Sequence, residues 1–257
     1  MKKIIKIGLI SVIILGIIIV FRQDLLIFAK KVYVSFTRTV IEEQRYKLIF
    51  EGLISTCIIS FLSIALGTIL AFILFLMRKG KIKFLKNICI AFVSIIQGIP
   101  ITVLLLTVYY VIFGSIDIEP ILVAILSFSI YFAAYTSEIF RGAMNSINLS
   151  QIQSAYALGF NKHQTLKYII LPQALTYMIP VYKNEVVSLI KLTSIAGYIS
   201  VMDLTKASDI IRNRTYEAFF PLVLTAIIYF VVCAIISKLL DFAYKKVNPR
   251  NYKRRIK

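Results

Sequence analysis

Acidic residues and histidines are scarce in this sequence. Its 257 residues hold 12 Asp and Glu against 30 Lys and Arg, and a single histidine, His163. One histidine excludes a multi-histidine metal site. Cys57, Cys89 and Cys233 lie far apart in apolar runs with no Cys-x-x-Cys pair. They read as small interior residues, neither disulfide partners nor metal ligands. There is no Gly-rich phosphate loop of the GxxxxGK[ST] kind, so the chain is expected to bind no ATP of its own. There is no nucleophile elbow, no metal-ligand cluster, no internal repeat, no Pro- or Ser-rich linker and no soluble domain. Without an acid–base cluster, an enzyme acting on lipid is remote. The expectation is a non-enzyme that binds no cofactor itself.

What is present is hydrophobic. The chain is 59% apolar, with a mean hydropathy of +0.85. Charge-free runs cover residues 52–77, 87–116, 120–137 and 218–237, that is 26, 30, 18 and 20 residues. A helix needs about 20 apolar residues to cross the hydrocarbon core. Only helices and closed barrels satisfy the backbone in lipid, and these runs are too long and continuous for barrel strands. The fold class is therefore all-α and polytopic. In that setting the net charge of +18 points to loop retention and anionic lipid rather than nucleic acid. No basic helix or aromatic-interleaved groove stands apart from the spans.

The expected organisation starts with an N-terminal transmembrane helix over 1–22, a basic start followed by an apolar stretch. A signal peptide has the same outline, but no small-x-small cleavage site follows soon after it. A polar connector fills 23–47. A core over 48–241 has spans near 48–77, 88–114, 119–141, 174–201 and 217–241, with a loop at 142–173. A basic tail, 242–257, closes the chain. The segment at 78–86, "RKGKIKFLK", carries five basic residues, and the tail carries seven, whereas "GSIDIEP" at 114–120 has none. Short-loop Lys and Arg stay inside, so 78–86, 142–173 and the C-terminus are expected in the cytoplasm. Residues 22–47 run against this rule. They hold Arg22, Lys30, Lys31, Arg38, Arg45 and Lys47, offset only in part by Asp24, Glu42 and Glu43.

The loop between the third and fourth core spans is wetter and longer than a turn requires. In "SQIQSAYALGF" (150–160), Ile152, Ala155 and Gly159 recur near helical spacing. Ser150 is the expected N-cap and Gly159 the expected left-handed terminator. A second short helix is expected over 161–170, with Pro172 at the entry to the next span. Two readings fit: an interfacial helix resting on headgroups, or a knob that docks on a cytosolic partner. A lipid-resting helix usually has several Lys or Arg on its polar face. Between Gly142 and Leu166 the only basic residue besides His163 is Lys162. Docking is favoured.

Polar residues inside the spans are the second set of candidates. Pro100, with Gly98 and Gln97 beside it, interrupts the longest apolar run. An interior Pro removes a helix bond and costs about 3 kcal/mol, so a kink or break is expected there. It serves either packing or a translocation path lined by freed carbonyls. Asn184, Glu185 and Lys191, with Lys183, lie in the fourth core span, where a charge costs roughly 2.5–3.5 kcal/mol. They either bridge helices or line a conduit. Glu185 and Lys191 are six apart and do not share a face, so partners on other helices or a second subunit are expected. Glu138 and Arg141, three apart, can pair on one turn, either as a local ion pair or as a hinge relaying partner motion. Thr136, Ser137, Thr193 and Ser194 can donate into a cavity or serve as interhelical glue.

Several of these stretches together carry a resemblance. "QGIPITVLL" (97–105), "EIFRGAMNSI" (138–147), "SQIQSAYALGF", "ILPQAL" (170–175), "NEVVSLIKLTSIAG" (184–197) and "DLT" (203–205) resemble, in order, the permease subunits of ABC importers. More narrowly they resemble the polar amino-acid permeases, over roughly 48–241. The departures are specific. The family's Glu-Ala-Ala triplet reads Gln153-Ser154-Ala155, its Arg-Gly-Thr-Pro reads Gln97-Gly98-Ile99-Pro100, and its Lys-Asp-Thr-Ser reads Lys191-Leu192-Thr193-Ser194. The resemblance implies a type I importer permease bundle, five core helices plus one extra N-terminal helix, in the plasma membrane. It implies a separate cytosolic ATPase dimer carrying ATP and Mg, an extracytoplasmic amino-acid-binding protein, and a second permease copy, most simply a homodimer. It makes Gln153, Ser154, Ala155, Ala157, Leu158, Gly159 and Pro172 the residues that couple to the ATPase. The competing function is an ion-gradient-driven transporter or channel using Glu185, Lys191 and Glu138.

Overall fold

The structure, a computed structural model, describes residues 22–247. The helix expected over 1–22 falls outside these residues but for its last one, and so does the tail from 248 onward. Among the described residues all regular structure is helical. The ten α-helices are α1 (Arg22–Phe36), α2 (Tyr46–Lys79), α3 (Lys83–Gly98), α4 (Ile101–Thr107), α5 (Pro120–Asn145), α6 (Leu149–Ala157), α7 (Lys162–Thr165), α8 (Leu171–Leu192), α9 (Leu204–Thr215) and α10 (Phe219–Val247).

Three of these, α2, α5 and α10, are long and apolar enough to cross a membrane unbroken. Two bent pairs bring the number of crossing elements to five. The first joins α3 to α4 and its π-turn extension Val108–Ile112, bent by 108°. The second joins a rod running from Lys162 to Ile199 to α9, bent by 53°. Five crossing elements agree in number with the five core helices expected. The largest difference is the fourth element, which runs from Lys162 and continues through α9 to Thr215 rather than spanning 174–201; the second starts at Lys83, and α5 continues to Asn145.

Helix α5 sits at the centre. Of its most apolar 18-residue window, 61% is buried inside the bundle, against 33% for α2 and 6% for α10. A helix buried on most of its circumference is an interior helix, and Phe128, Phe132, Ala133 and Ala134 all have no exposed surface. Its chief neighbour is α2. The buried positions of α2 include Gly52, Thr56, Ser60, Ser63, Gly67 and Ala71, a stripe of small residues at helical spacing. Small residues let helix backbones approach closely where no hydrophobic effect drives them together. Against α5 the approach is close at Gly67, where a Cβ would meet the Ser129 carbonyl oxygen at 2.9 Å. Four residues earlier on α2, the Ser63 hydroxyl donates to the Ile125 carbonyl at 3.2 Å. By contrast α10 has few buried residues and leans on α8 and α9.

The connector expected over 23–47 is helical through Phe36 and then reverses by way of a π turn (Thr37–Ile41) and a 3₁₀ turn (Glu42–Gln44). Glu43 and Gln44 adopt φ of 52° and 55°. Arg45 explains part of the segment's charge. It is 5% exposed, pairs with Glu43 at 2.9 Å, and donates to the Arg38 carbonyl. Arg45 is the cation drawn inward; Lys30, Lys31, Arg38 and Lys47 remain exposed.

Candidate functional site

The loop after α5 folds into a compact elbow. The N-cap of α6 is Asn148, not Ser150. The Asn148 Oδ1 accepts from the Ser150 backbone N at 3.0 Å and from its hydroxyl at 2.9 Å. An Asn two residues ahead competes for the same donor, and it has the extended backbone a cap requires (φ −63°, ψ 131°). The other end behaves as the sequence suggests. Gly159 has φ +82°. Phe160 N donates to Ala155 O and Gly159 N to Tyr156 O, each at 3.0 Å, which is the paired bonding of a Schellman motif. The short α7 carries a capping box between Asn161 and Gln164. A π turn (Leu166–Ile170) then leads into α8, with Pro172 in its first turn.

Within this elbow Ala155 is buried at 3% exposure, while Gln153, Ser154, Ala157, Leu158, Gly159 and Pro172 are exposed. Leu149, Tyr156 and Leu158 also expose their apolar side chains. Ala155 therefore faces inward, and the outer surface is a mixed apolar and amide face. The Gln173 side chain donates to Gln151 Oε1 at 2.7 Å, tying α6 to the first turn of α8. Helices α6 and α7 are capped, and this side-chain tie runs from α6 to the base of α8.

The break at Gln97–Pro100 is sharper than a kink. Helix α3 ends at Gly98, Ile99 and Pro100 are extended, and α4 begins at Ile101. Gly98 and Pro100 are exposed, and Gln97 is half-buried. The second half of the broken helix packs against the 3₁₀ turn Thr193–Ile199 that follows α8. This sets the turn that begins with Thr193 and Ser194 against the helix that starts one residue after Pro100. Asn184 and Lys191 are exposed, whereas Glu185 and Ser194 are half-buried. Glu185 and Lys191 form no salt bridge among the described residues. Thr193 is fully buried and donates to Ile190 O at 2.7 Å, and Ser137 donates to Ala134 O at 2.8 Å. Those two hydroxyls serve their own helices. The Thr136 hydroxyl is buried with no partner among the described residues.

Glu138 and Arg141 do pair, at 2.7 Å. The structure adds a third member, because Arg78 at the end of α2 donates to the other carboxylate oxygen of Glu138. In the sequence Arg78 is one of five basic residues in 78–86, with nothing to mark it as a partner of Glu138. Lys183 likewise finds Asp241 of α10 at 2.7 Å. Asp203, the first residue of "DLT", is fully buried. It caps α9, accepting from Thr205 N at 2.9 Å and Lys206 N at 3.1 Å. An Asp directly before a helical run is a cap signal, and here it positions the bent fourth span.

A five-element helical bundle with an elbow at one end and a broken helix inside it defines a class, the membrane-embedded subunit of a transport system. A family model described as "Binding-protein-dependent transport system inner membrane component" matches residues 63–251, and the chain belongs to that family. A probable amino-acid ABC transporter permease protein, YckA of Bacillus subtilis, is 32% identical over 215 residues, covering 83% of this chain and 94% of the relative. A nopaline transport system permease protein, NocM of Agrobacterium fabrum, is 31% identical, covering 76% and 86%. Among solved structures, "Crystal structure of an amino acid ABC transporter with histidines" is 30% identical with a TM-score of 0.71, covering 78% of this chain and 94% of that one. An inward-facing methionine transporter, MetNI, shares the fold at a TM-score of 0.65 and 19% identity. Family membership sets aside the gradient-driven transporter, and it makes this chain a transport subunit rather than a catalytic one.

Proposed function

We propose that this chain is the permease through which a polar amino acid is imported. It would work as a homodimer in the plasma membrane, with its C-terminus in the cytoplasm. ATP and Mg reside on a separate cytosolic ATPase dimer, one ATPase subunit gripping each elbow, and an extracytoplasmic binding protein delivers the ligand. The substrate class rests on the relatives, whose names include amino-acid, glutamine, nopaline and L-cystine permeases.

The observation that carries the coupling role is the elbow itself. Its helix is capped at both ends and turned so that Ala155 packs inward, while Leu149, Tyr156 and Leu158 are left uncovered. Apolar side chains on a rigid, nearly cation-free knob fit a protein groove better than a headgroup layer. Gln153 stands where the family has a carboxylate, so its contact with the ATPase is a neutral hydrogen bond rather than a charge-assisted one. ATP-driven approach of the two ATPase subunits brings the elbows together. The tie from Gln151 to Gln173 passes that motion to α8, and the polar stretches at 97–100 and 184–194 form the path and its gate. Ligand and ATP bias a two-state bundle through their unequal affinities for its two conformations.

The test is cross-linking from Leu158→Cys in membranes containing the co-expressed ATPase, together with uptake by vesicles reconstituted with and without it. A cross-link to the ATPase and uptake that needs both ATP and that subunit are expected. Capture of lipid alone, or uptake without the ATPase, would sink the reading.

A further inference from the structure

The cations near Glu138 are not all used by it. Arg78, Lys79, Lys86 and Arg141 line one cavity of about 510 Å³, which Ile152 of α6 and Ile170 also border. Four cations stand there against a single neighbouring carboxylate. Lys79 and Lys86 form no salt bridge among the described residues, and the Lys79 ammonium lies 6.0 Å from the centroid of the Phe75 ring. Phe75 and Met144 are shared with a second, apolar cavity of about 220 Å³. Phe140 and Met178 of that cavity border a third, of about 340 Å³, which reaches Thr68 and Tyr182.

The three cavities follow one another along α2. From Lys79 to Thr68 is eleven residues, or about 16 Å of helix. The hydrocarbon of one leaflet is about 15 Å deep, half of the 30 Å core. A cationic mouth at the end of a span, continued inward by an apolar track one leaflet deep, has the chemistry of an anionic head joined to an acyl chain.

The track runs beside the exposed face of α8 rather than on it, with half-buried Glu185, three residues after Tyr182, continuing its line. On α8 it uses Ala174, Met178 and Tyr182, which follow one another at helical spacing. Tyr177, Val181, Asn184 and Lys191 share a different face of the same helix, and that face is exposed. An amino acid would find few polar partners in the track, where Tyr182 and Thr68 already bond to each other at 2.7 Å.

We propose that an anionic glycerophospholipid of the membrane occupies this track. Its phosphate lies among Arg78, Lys79, Lys86 and Arg141, and one acyl chain lies between α2, α5 and α8. Since Ile152 and Ile170 border the mouth, the bound lipid braces the base of the elbow.

The full chain, extracted in mild detergent with its native partners, is equilibrated with equal amounts of phosphatidylglycerol and phosphatidylcholine of matched acyl chains. Lipid retained is read by native mass spectrometry. Selective retention of phosphatidylglycerol is expected. The double variant Lys79→Gln/Lys86→Gln should lower that preference by roughly thirtyfold, from about fivefold per lysine. Lys30→Gln/Lys31→Gln removes as much charge from the connector and should leave the preference intact. Excess inorganic phosphate should not displace the lipid, and Met178→Cys should react with a lipid-soluble maleimide without joining two copies of the chain. Three results would overturn the proposal: equal losses in both double variants, displacement by phosphate alone, or a disulfide between protomers in the Met178→Cys variant.

Discussion

Glu138 holds Arg78 and Arg141 at the same time, one guanidinium on each carboxylate oxygen. The pair with Arg141 is local to α5, but the pair with Arg78 clamps the end of α2 to α5 across 60 residues of sequence. The Arg78 side chain is only 15% exposed, so losing its partner strands a poorly hydrated cation. Glu138→Gln should lower stability in detergent by about 1–3 kcal/mol, read as a drop in Tm. Adding Arg78→Gln should cost less than the sum of the two single changes, because the stranded charge is removed. Strictly additive losses would show that the clamp contributes nothing.

At Gly159 the constraint is backbone conformation rather than space. A Cβ there meets nothing within 4 Å, yet φ is +82°. Gly159→Val therefore strains the Schellman turn, whereas Asn enters that region more readily. Ligand-stimulated ATPase activity of the assembled complex should fall sharply in the Val variant and largely persist in the Asn variant. Membrane yield should be similar for both. Full coupling in the Val variant would mean that the elbow's shape is not what the ATPase grips.

Much of this architecture is legible in the sequence because the bilayer imposes a length. Charge-free runs mark four of the five spans, Pro100 marks the break, and Gly159 marks the end of α6. What stays hidden depends on the third dimension. Nothing near Glu138 in sequence announces Arg78, and nothing near Lys183 announces Asp241. Nothing in the connector's sequence singles out Arg45, which folds inward onto Glu43 and the Arg38 carbonyl. The cap of α6 moves by two residues because Asn148 competes with Ser150, and propensity ranks the two nearly alike. Asp203 could have been found as a cap from its place before a helical run, although its burial could not.

Two glycines separate packing from function. Gly67 faces the Ser129 carbonyl at a distance no Cβ can share, and that backbone atom cannot step aside. Gly67→Val should part α2 from α5 and remove folded protein from the membrane, measured by detergent-soluble monodisperse yield. A Cβ added at Gly98 would meet nothing within 4 Å, so Gly98→Ala should leave that yield unchanged. If Gly98→Ala nonetheless lowers uptake in vesicles, the loss belongs to a ligand or a second copy meeting the broken helix. Unchanged uptake would remove Gly98 from the path.

Lys183 and Asp241 link α8 to α10, the helix with the least of its apolar window buried in the bundle. With so little packing, α10 depends on specific contacts for its position. The pair is partly exposed, 23% at Lys183 and 42% at Asp241, and the attraction alone is worth no more than about 1 kcal/mol. Removing one partner is the harsher change if the site lies in lipid, where a lone charge costs roughly 2.5–3.5 kcal/mol. Lys183→Met or Asp241→Asn alone should therefore lower the thermal midpoint of the purified chain more than the double variant does. If the double variant is instead the least stable, both groups are hydrated, and the link acts as a surface contact outside the hydrocarbon.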